Sequence, residues 1–332
     1  MAVYSPSGSG SVHIDILLTQ ISMQFPLNRD YVGPNLFPQV TVQKQSDKYG
    51  VFDRENFKLE AHDVRAPGTI ANEIPGLRWS TDTYYCNEHA LQIPITDEER
   101  TNVDAPLQPD IDGTTLVTDR IMLGRESKMH ALATTIANYA SGMSADYSAA
   151  PTSRWDDYVN SNPIQDFRNA NRKINANLFM NANLAIIPWQ VMSFLEDHPD
   201  FIERIKYSER GIITEEIIAA VIGISNIVVP SVGFSNAGTG VPVTSSSVGY
   251  LWGKDVIVAY VPPSAGLRQV SFGYEFVWPL AGTQQLVDRW REEQRVSDLV
   301  RVRRRYDVKL TGYEPTNPNQ LLVGFLYHQA VT

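Results

Sequence analysis

A single cysteine, Cys86, stands in the whole 332-residue chain. No intrachain disulfide can form, and no cysteine-based zinc site can be built. A chain without disulfides suits synthesis in the reducing cytoplasm. Cations are also in short supply. Lys+Arg number 28 against 37 Asp+Glu, a formal net charge of −9. A protein whose main task is gripping phosphates is usually basic over at least one domain, so a dedicated nucleic-acid binder is disfavoured. Long apolar runs are missing. The most apolar stretch, Ile217 to Ile224, falls far short of the roughly 20 residues a membrane helix needs. The opening Met1 to Gly10 is small and polar, without the basic-then-apolar layout of a signal peptide. There is no phosphate-cradling loop. Gly233, Gly238 and Gly240 lie in a Ser/Thr-rich stretch that lacks a strand before it and a helix after it. The chain also shows no internal repeat.

What remains is an ordinary folded composition, with 43% hydrophobic and 20% charged residues, which argues against wholesale disorder. Residues 1–11 read as a flexible tail, and 13–37 as an extended arm interrupted by Pro26 and Pro34. From Pro38 to Asp53, and again from Thr81 to Ile95, apolar and polar residues alternate as in strands. Between them lies the charged, Pro- and Gly-containing stretch Glu55 to Arg78. The simplest reading is one long hairpin over 38–96 with a broad tip. A lone two-stranded hairpin is marginal in water, so it asks for a partner surface, and its tip is expected to be mobile in a free subunit.

The spacing then predicts a long helix over about 112–141. Met122, Met129, Leu132, Ile136 and Tyr139 fall on one helical face, with Gly142 placed to end it. Asn162-Pro163 opens a further helix as an N-cap followed by proline. Short strands and helices then alternate to about residue 229, the mark of a compact α/β unit. Val256 to Val261, Val270 to Trp278 and the last 49 residues, 284–332, read mainly as strand.

Candidate chemistry is sparse. His198 and Asp200, beside Glu196 and Asp197, are metal-ligand types. A helix stop followed by a helix cap explains them better. His62 with Asp63, and His89 with Glu88, have no partner at catalytic spacing. Cys86 lacks a group to orient it as a nucleophile, so a buried thiol is expected. Read as a strand, Arg301, Arg303 and Arg305 share one face, while Val300, Val302, Tyr306 and Val308 share the other with Arg304. Such a row could meet acidic groups on a neighbouring subunit, touch nucleic acid, or simply be solvated. The subunit-interface reading is favoured.

Four collinear segments resemble one family. The run His198-Pro199-Asp200-Phe201-Ile202-Glu203-Arg204-Ile205-Lys206-Tyr207, with Pro188-Trp189 before it and Arg210-Gly211-Ile212-Ile213-Thr214-Glu215-Glu216 after it, is similar to a segment of tailed-bacteriophage major capsid proteins. Leu36-Phe37-Pro38 with Val40, Val42, Gln45, Lys48 and Tyr49 looks like the approach to that family's long loop. Val64-Arg65-Ala66-Pro67-Gly68 and Ser80-Thr81-Asp82-Thr83-Tyr84 look like the loop's tip and return strand.

The resemblance implies an α+β chain of the Hong Kong 97-like capsid fold. Its parts would be an N-terminal arm at 1–37, an extended loop at 38–96, a peripheral domain at 97–150 and 284–332 around the spine helix, and an axial α/β domain at 151–283. It implies a structural protein without catalytic residues, metal or cofactor, assembling with itself as pentamers and hexamers around double-stranded DNA that it contacts non-specifically. No membrane is involved. The chain would be made in the host cytoplasm and end in the virion. Candidate inter-subunit contacts are Lys58, Arg65, Arg78, Arg301, Arg303 and Arg305, and charge reversal in the arginine row is expected to impair assembly more than folding. The short N-terminal segment points to a separate scaffolding protein. A portal protein is a further expected partner, and a decoration protein is left open. Some relatives cross-link subunits through a lysine and an asparagine. Lys58 with Asn317 or Asn319 supplies those residue types, but Glu314 in a polar turn lacks the apolar pocket that would make it a base, so a non-covalent shell is expected. A bacterial nanocompartment shell is the nearest alternative. A hydrolase or a nucleic-acid-binding protein is more remote.

Overall fold

The computed structural model describes residues 13–14, 31–52, 59, 64–65, 67–68, 70–71, 73, 76, 79–102, 108–205, 214–238, 241–242, 244, 247–266, 269–314 and 317–332. After a two-residue strand β1 (His13–Ile14), the turn α1 (Gly33–Leu36) starts on Pro34 and carries Leu36 and Phe37 into the core. The chain continues through β2 (Gln39–Thr41), β3 (Ser46–Phe52), β4 (Trp79–Tyr85) and β5 (Asn87–Thr96). The helices α2 (Asp97–Asn102) and α3 (Pro109–Thr134) follow.

α3 is the spine predicted from spacing, but it stops at Thr134 and not near residue 141. The hydroxyls of Thr134 and Thr135 turn back onto the carbonyls of His130 and Ala131, and Thr135 is already extended. β-branched residues at a helix end favour this exit. Gly142, at φ +81°, instead makes the left-handed turn before β6 (Ser144–Asp146), a conformation that glycine adopts freely.

The α/β stretch comprises α4 (Pro163–Leu178), β7 (Leu184–Ile186), α5 (Trp189–Glu196), α6 (Pro199–Ile205), α7 (Glu215–Ile222) and β8 (Asn226–Val228). Asn162 caps α4 by accepting from the Gln165 amide at 2.9 Å. The remaining strands are β9 (Gly233–Ser235), β10 (Val248–Tyr250), β11 (Val256–Ala259), β12 (Gly273–Val277), β13 (Gln285–Glu292), β14 (Ser297–Leu310), β15 (Tyr313–Glu314), β16 (Asn317–Leu321) and β17 (Gly324–His328).

Two sheets organise these elements. The six-stranded sheet is built on the 14-residue β14. β13 pairs with Ser297 to Arg304, and β5 pairs with Ser297 to Tyr306 on the opposite edge. Tyr306 faces both Asn87 of β5 and Val277 of β12, so β12 and β13 lie end to end along one side. β2 adds to β12 in parallel, and β1 adds to β13. The five-stranded sheet runs β6-β17-β11-β7-β8. Its central strands β11 and β7 are all apolar and buried on both faces, and β17 is buried up to His328, as strands flanked on both sides must be.

The sheets do not follow the expected boundaries at 150/151 and 283/284. β12 joins the six-stranded sheet, and β17 joins the five-stranded one. α3 belongs to both units. Val117 and Ile121 in its first half pack with Ile95, Val287, Val300 and Val302. Met129 and Ala133 in its second half enter the large core around the five-stranded sheet.

Candidate interaction surface

The alternation of β14 places Val300, Val302, Arg304, Tyr306 and Val308 on its buried face, and Arg301, Arg303 and Arg305 on the half-buried one. The cross-strand register then decides what the arginines meet. Asp288 of β13 sits directly opposite Arg301, and Glu88 of β5 directly opposite Arg305. Arg301 donates to Asp288 Oδ2 at 2.9 Å, and Arg303 donates to its Oδ1 at 3.1 Å. Arg303 reaches Glu88 Oε1 at 3.5 Å, and Arg305 donates to Glu88 Oε2 at 2.6 Å. Burial pushes the Glu88 carboxyl up, but Arg305 and Arg303 outweigh it and hold the group below its ordinary value. The row is closed at each end by an indole, with Arg301 over Trp290 and Arg305 over Trp278, 4.8 and 4.4 Å from the ring centres. These acids come from the same chain, whereas sequence reasoning sought them on a neighbour. The reason is register: residues 88, 288 and 301–305 are distant in sequence and become adjacent only when both strands pair with β14. Charge reversal here therefore breaks ion pairs inside the subunit.

A second network ties the sheet edge to α2 and α3. Asp298 accepts from Arg100 at 2.9 Å and Arg289 at 2.6 Å. Arg100 also reaches Asp110 at 2.9 Å, and Arg291 grips Asp97 with two bonds of 2.6 Å. A third is fully interior. Arg125 of α3 clasps Glu275 of β12 with two nitrogens, and Arg304 approaches the same carboxylate at 3.4 Å. Glu126, next along the spine and 1% exposed, accepts from the Val32 and Gly33 amides at 3.0 and 2.8 Å and from Trp252 Nε1 at 2.9 Å. Burial pushes its pKa up against the pull of these donors. The Gly33 backbone can come this close because it has no side chain. A Cβ there would stand 2.6 Å from Glu126 Oε2. Sequence reading missed Arg125, Glu126 and Glu275. Glu275 gave one signal, a charge among the apolar residues of Phe272 to Trp278, whereas Arg125 and Glu126 stand in the polar run Gly124 to Lys128 and gave none.

Of the hairpin expected over 38–96, the structure pairs the stretch from Ser46 with Tyr85 to Phe52 with Trp79, while β2 pairs with β12 instead. Beyond Cys86 the return strand leaves it and becomes β5 of the main sheet. Its base finds a partner on its own subunit: Tyr49, Val51 and Tyr84 pack on Tyr274, Phe276 and Tyr313, and Tyr84 stacks on Phe276 at 4.7 Å. The hydroxyls of Tyr49 and Tyr313 both donate to Asp82 at 2.8 Å. Cys86 is fully buried, donates to the Phe276 carbonyl at 3.5 Å, and its thiol is pushed up to about 11 by burial. Arg65 is exposed. Lys58, Arg78, His62 and Asp63 lie outside the described residues, as do the side chains of Glu314, Asn317 and Asn319. His198 caps α6. Its Nδ1 accepts from the Asp200 amide at 3.2 Å, which leaves Nε2 to donate to Ser161 Oγ at 3.1 Å. Among the described residues no three His, Cys, Asp or Glu side chains converge as a metal site, and no helix is long and apolar enough to cross a membrane.

No family model matches the chain. In sequence it is 27% identical over 266 residues to the major capsid protein of Burkholderia phage BcepMu, covering 79% of this chain and 82% of that one. It is 23% identical over 190 residues to the major capsid protein of Pseudomonas phage JBD67, covering 57% and 59%. In structure it is similar to a phage-related protein from Bordetella bronchiseptica RB50, with a TM-score of 0.70, 24% identity and coverage of 97% and 98%. The capsid of Cyanophage P-SCSP1u follows with a TM-score of 0.60, 11% identity and coverage of 99% and 92%. A virus-like particle from Pyrococcus furiosus superposes at 0.53, with 11% identity over 94% and 96%.

Proposed function

We propose that this chain, which has the Hong Kong 97-like capsid fold and tailed-phage major capsid proteins as its sequence relatives, is the major subunit of an icosahedral phage head. It is a structural protein of the virion and not an enzyme. The observation that carries this reading is the alignment with a phage major capsid protein along 79% of the chain, over a fold shared end to end with capsid subunits. The fold alone would equally suit a nanocompartment, since it extends to the Pyrococcus particle. Both sequence relatives are phage proteins, which favours the head.

The mechanism is self-assembly into pentamers and hexamers. Each contact can be weak because symmetry and multivalency multiply it. Lys58, Arg65 and Arg78 in the loop, with the outer edges of the Arg301, Arg303 and Arg305 row, are our candidate contacts between subunits. In this reading a separate scaffolding protein and a portal protein are further partners, a decoration protein stays open, and synthesis takes place in the host cytoplasm. The enclosed double-stranded DNA would be touched only non-specifically. The arginine row is already neutralised from within, and an acidic wall of net charge −9 keeps the polymer from sticking. Sedimentation and negative-stain imaging of concentrated protein, alone and with a scaffolding partner, should give capsomers or closed shells. A strict monomer under every condition overturns the reading.

A further inference from the structure

We propose that neighbouring copies of this chain meet head to tail, the arginine-lined cleft on α4 of one receiving the acidic turn Glu196-Asp197 of the next. This rests on the shell reading and names one of its contacts.

α4 turns Ile164, Phe167, Ala170 and Ile174 into the core. Its other side carries Arg168, Arg172 and Asn175 at steps of four and three, which line an open cleft of ≈ 430 Å³ with Asn171, Ala176 and Asn181. Nothing within the helix neutralises that cleft. Its one acid, Asp166, is engaged by Trp155 Nε1 at 2.9 Å and the Tyr147 hydroxyl at 3.0 Å. Among the described residues Arg172 donates to the Asn169 side chain, at 3.2 Å. Among the described residues no carboxylate pairs with Arg168 or Arg172, in contrast to the arginines of β14. Lys173 is used elsewhere, on the Gly142 carbonyl at 2.8 Å and over the Phe325 ring.

The complementary charge lies in the same chain but out of reach. Between Lys173 and Arg204 there is no lysine or arginine, while Glu196, Asp197, Asp200 and Glu203 all fall there. Glu196 and Asp197 are exposed, and no described cation pairs with them. Their neighbour His198 bonds Ser161, the residue just before the Asn162 cap, so the acidic turn sits at the N-terminal end of α4. Arg168 and Arg172 follow six and ten residues after that cap, about 9–15 Å along the axis. Opposite charges at two ends of one element cannot satisfy each other within a subunit, but they do so between subunits in a closing head-to-tail ring. Each patch also has an apolar flank. Phe179 and Met180 are exposed beyond the cleft, and Tyr158 and Val159 are exposed beside the acidic turn, where Tyr158 meets the His198 ring edge-on at 5.4 Å. Guanidinium groups suit carboxylates, and such pairs set register and association rate.

The test uses the full chain and charge reversal. R168E/R172E and E196K/D197K should each lower the yield of sedimenting particles about tenfold or more, with unchanged circular dichroism. The four changes combined should restore the yield, because every interface then carries both halves reversed. The neutral R168Q/R172Q should assemble with a weaker dependence on salt than wild type, which decides the matter if a reversal misfolds. Reversed or neutral variants that assemble like wild type, or a combined variant that folds yet stays unassembled, overturn this contact and leave the shell reading standing. A wild type that never associates overturns both.

Discussion

The five-stranded sheet is held by apolar burial. Val256, Ile257, Val258 and Ala259 of β11 are wholly buried, between β17 and β7 strands nearly as dry. The six-stranded sheet buries a small apolar patch under α3 and surrounds it with ion pairs: Arg125 and Arg304 on Glu275, Arg100 and Arg289 on Asp298, Arg291 on Asp97, and the β14 row on Asp288 and Glu88. The two should therefore answer to different perturbations. Dispersion and water exclusion are insensitive to pH, whereas paired carboxylates lose their partners on protonation. A subunit built this way can have one part loosened by acid or salt while the other holds its shape.

The sharpest way to break the six-stranded half is Glu275→Leu, which leaves Arg125 and Arg304 buried without a counter-charge. Removing one partner of a buried ion pair costs about 3–5 kcal/mol, so chemical denaturation should show a loss of that size. Replacing both arginines by Met as well should recover most of it. Ile257→Ala strikes the five-stranded half. A truncated core isoleucine costs about 2–5 kcal/mol, and the loss should be the same at neutral and acidic pH.

The smallest effect sharpens the contrast by titration. Burial would raise the Asp298 pKa, but the hydrogen bonds and charges of Arg289 and Arg100 prevail and hold it below its ordinary value, as Arg305 and Arg303 do for Glu88. A depressed folded-state pKa gives stability that is complete above the unfolded value, about 4, and is lost as pH falls through the folded one. Hydrogen exchange, corrected for intrinsic rate, should show protection of β13 and β14 falling in that acid range before protection of β11. Equal loss in both sheets would refute the division.

Local pattern carried a good part of this architecture. Asn162-Pro163 announced α4, the alternation of 300–308 announced the two faces of β14, and the hairpin pairing was readable to Tyr85. What stayed hidden was long-range. Nothing near Arg301 reveals that Asp288 will stand opposite it, and the Arg125–Glu275 clasp joins residues 150 apart. The spine's stripe was drawn through Met122 and Met129. Val117 and Ile121 fall on a different face because the helix serves two cores, and a single amphipathic stripe cannot describe that.

That double service makes α3 a lever. Its 26 residues span about 39 Å at 1.5 Å per residue. One end is fixed among the side chains of the patch under the six-stranded sheet, and the other is clamped by Met129 in the large core and by Glu126 on the backbone of Val32 and Gly33. A rigid rod held at both ends cannot let the two units turn independently. A rotation of only about 5° at the end held by the six-stranded sheet would carry the far end through about 3 Å. A push on that sheet is thus delivered, with mechanical gain, to the turn at Val32 and Gly33 that Glu126 holds.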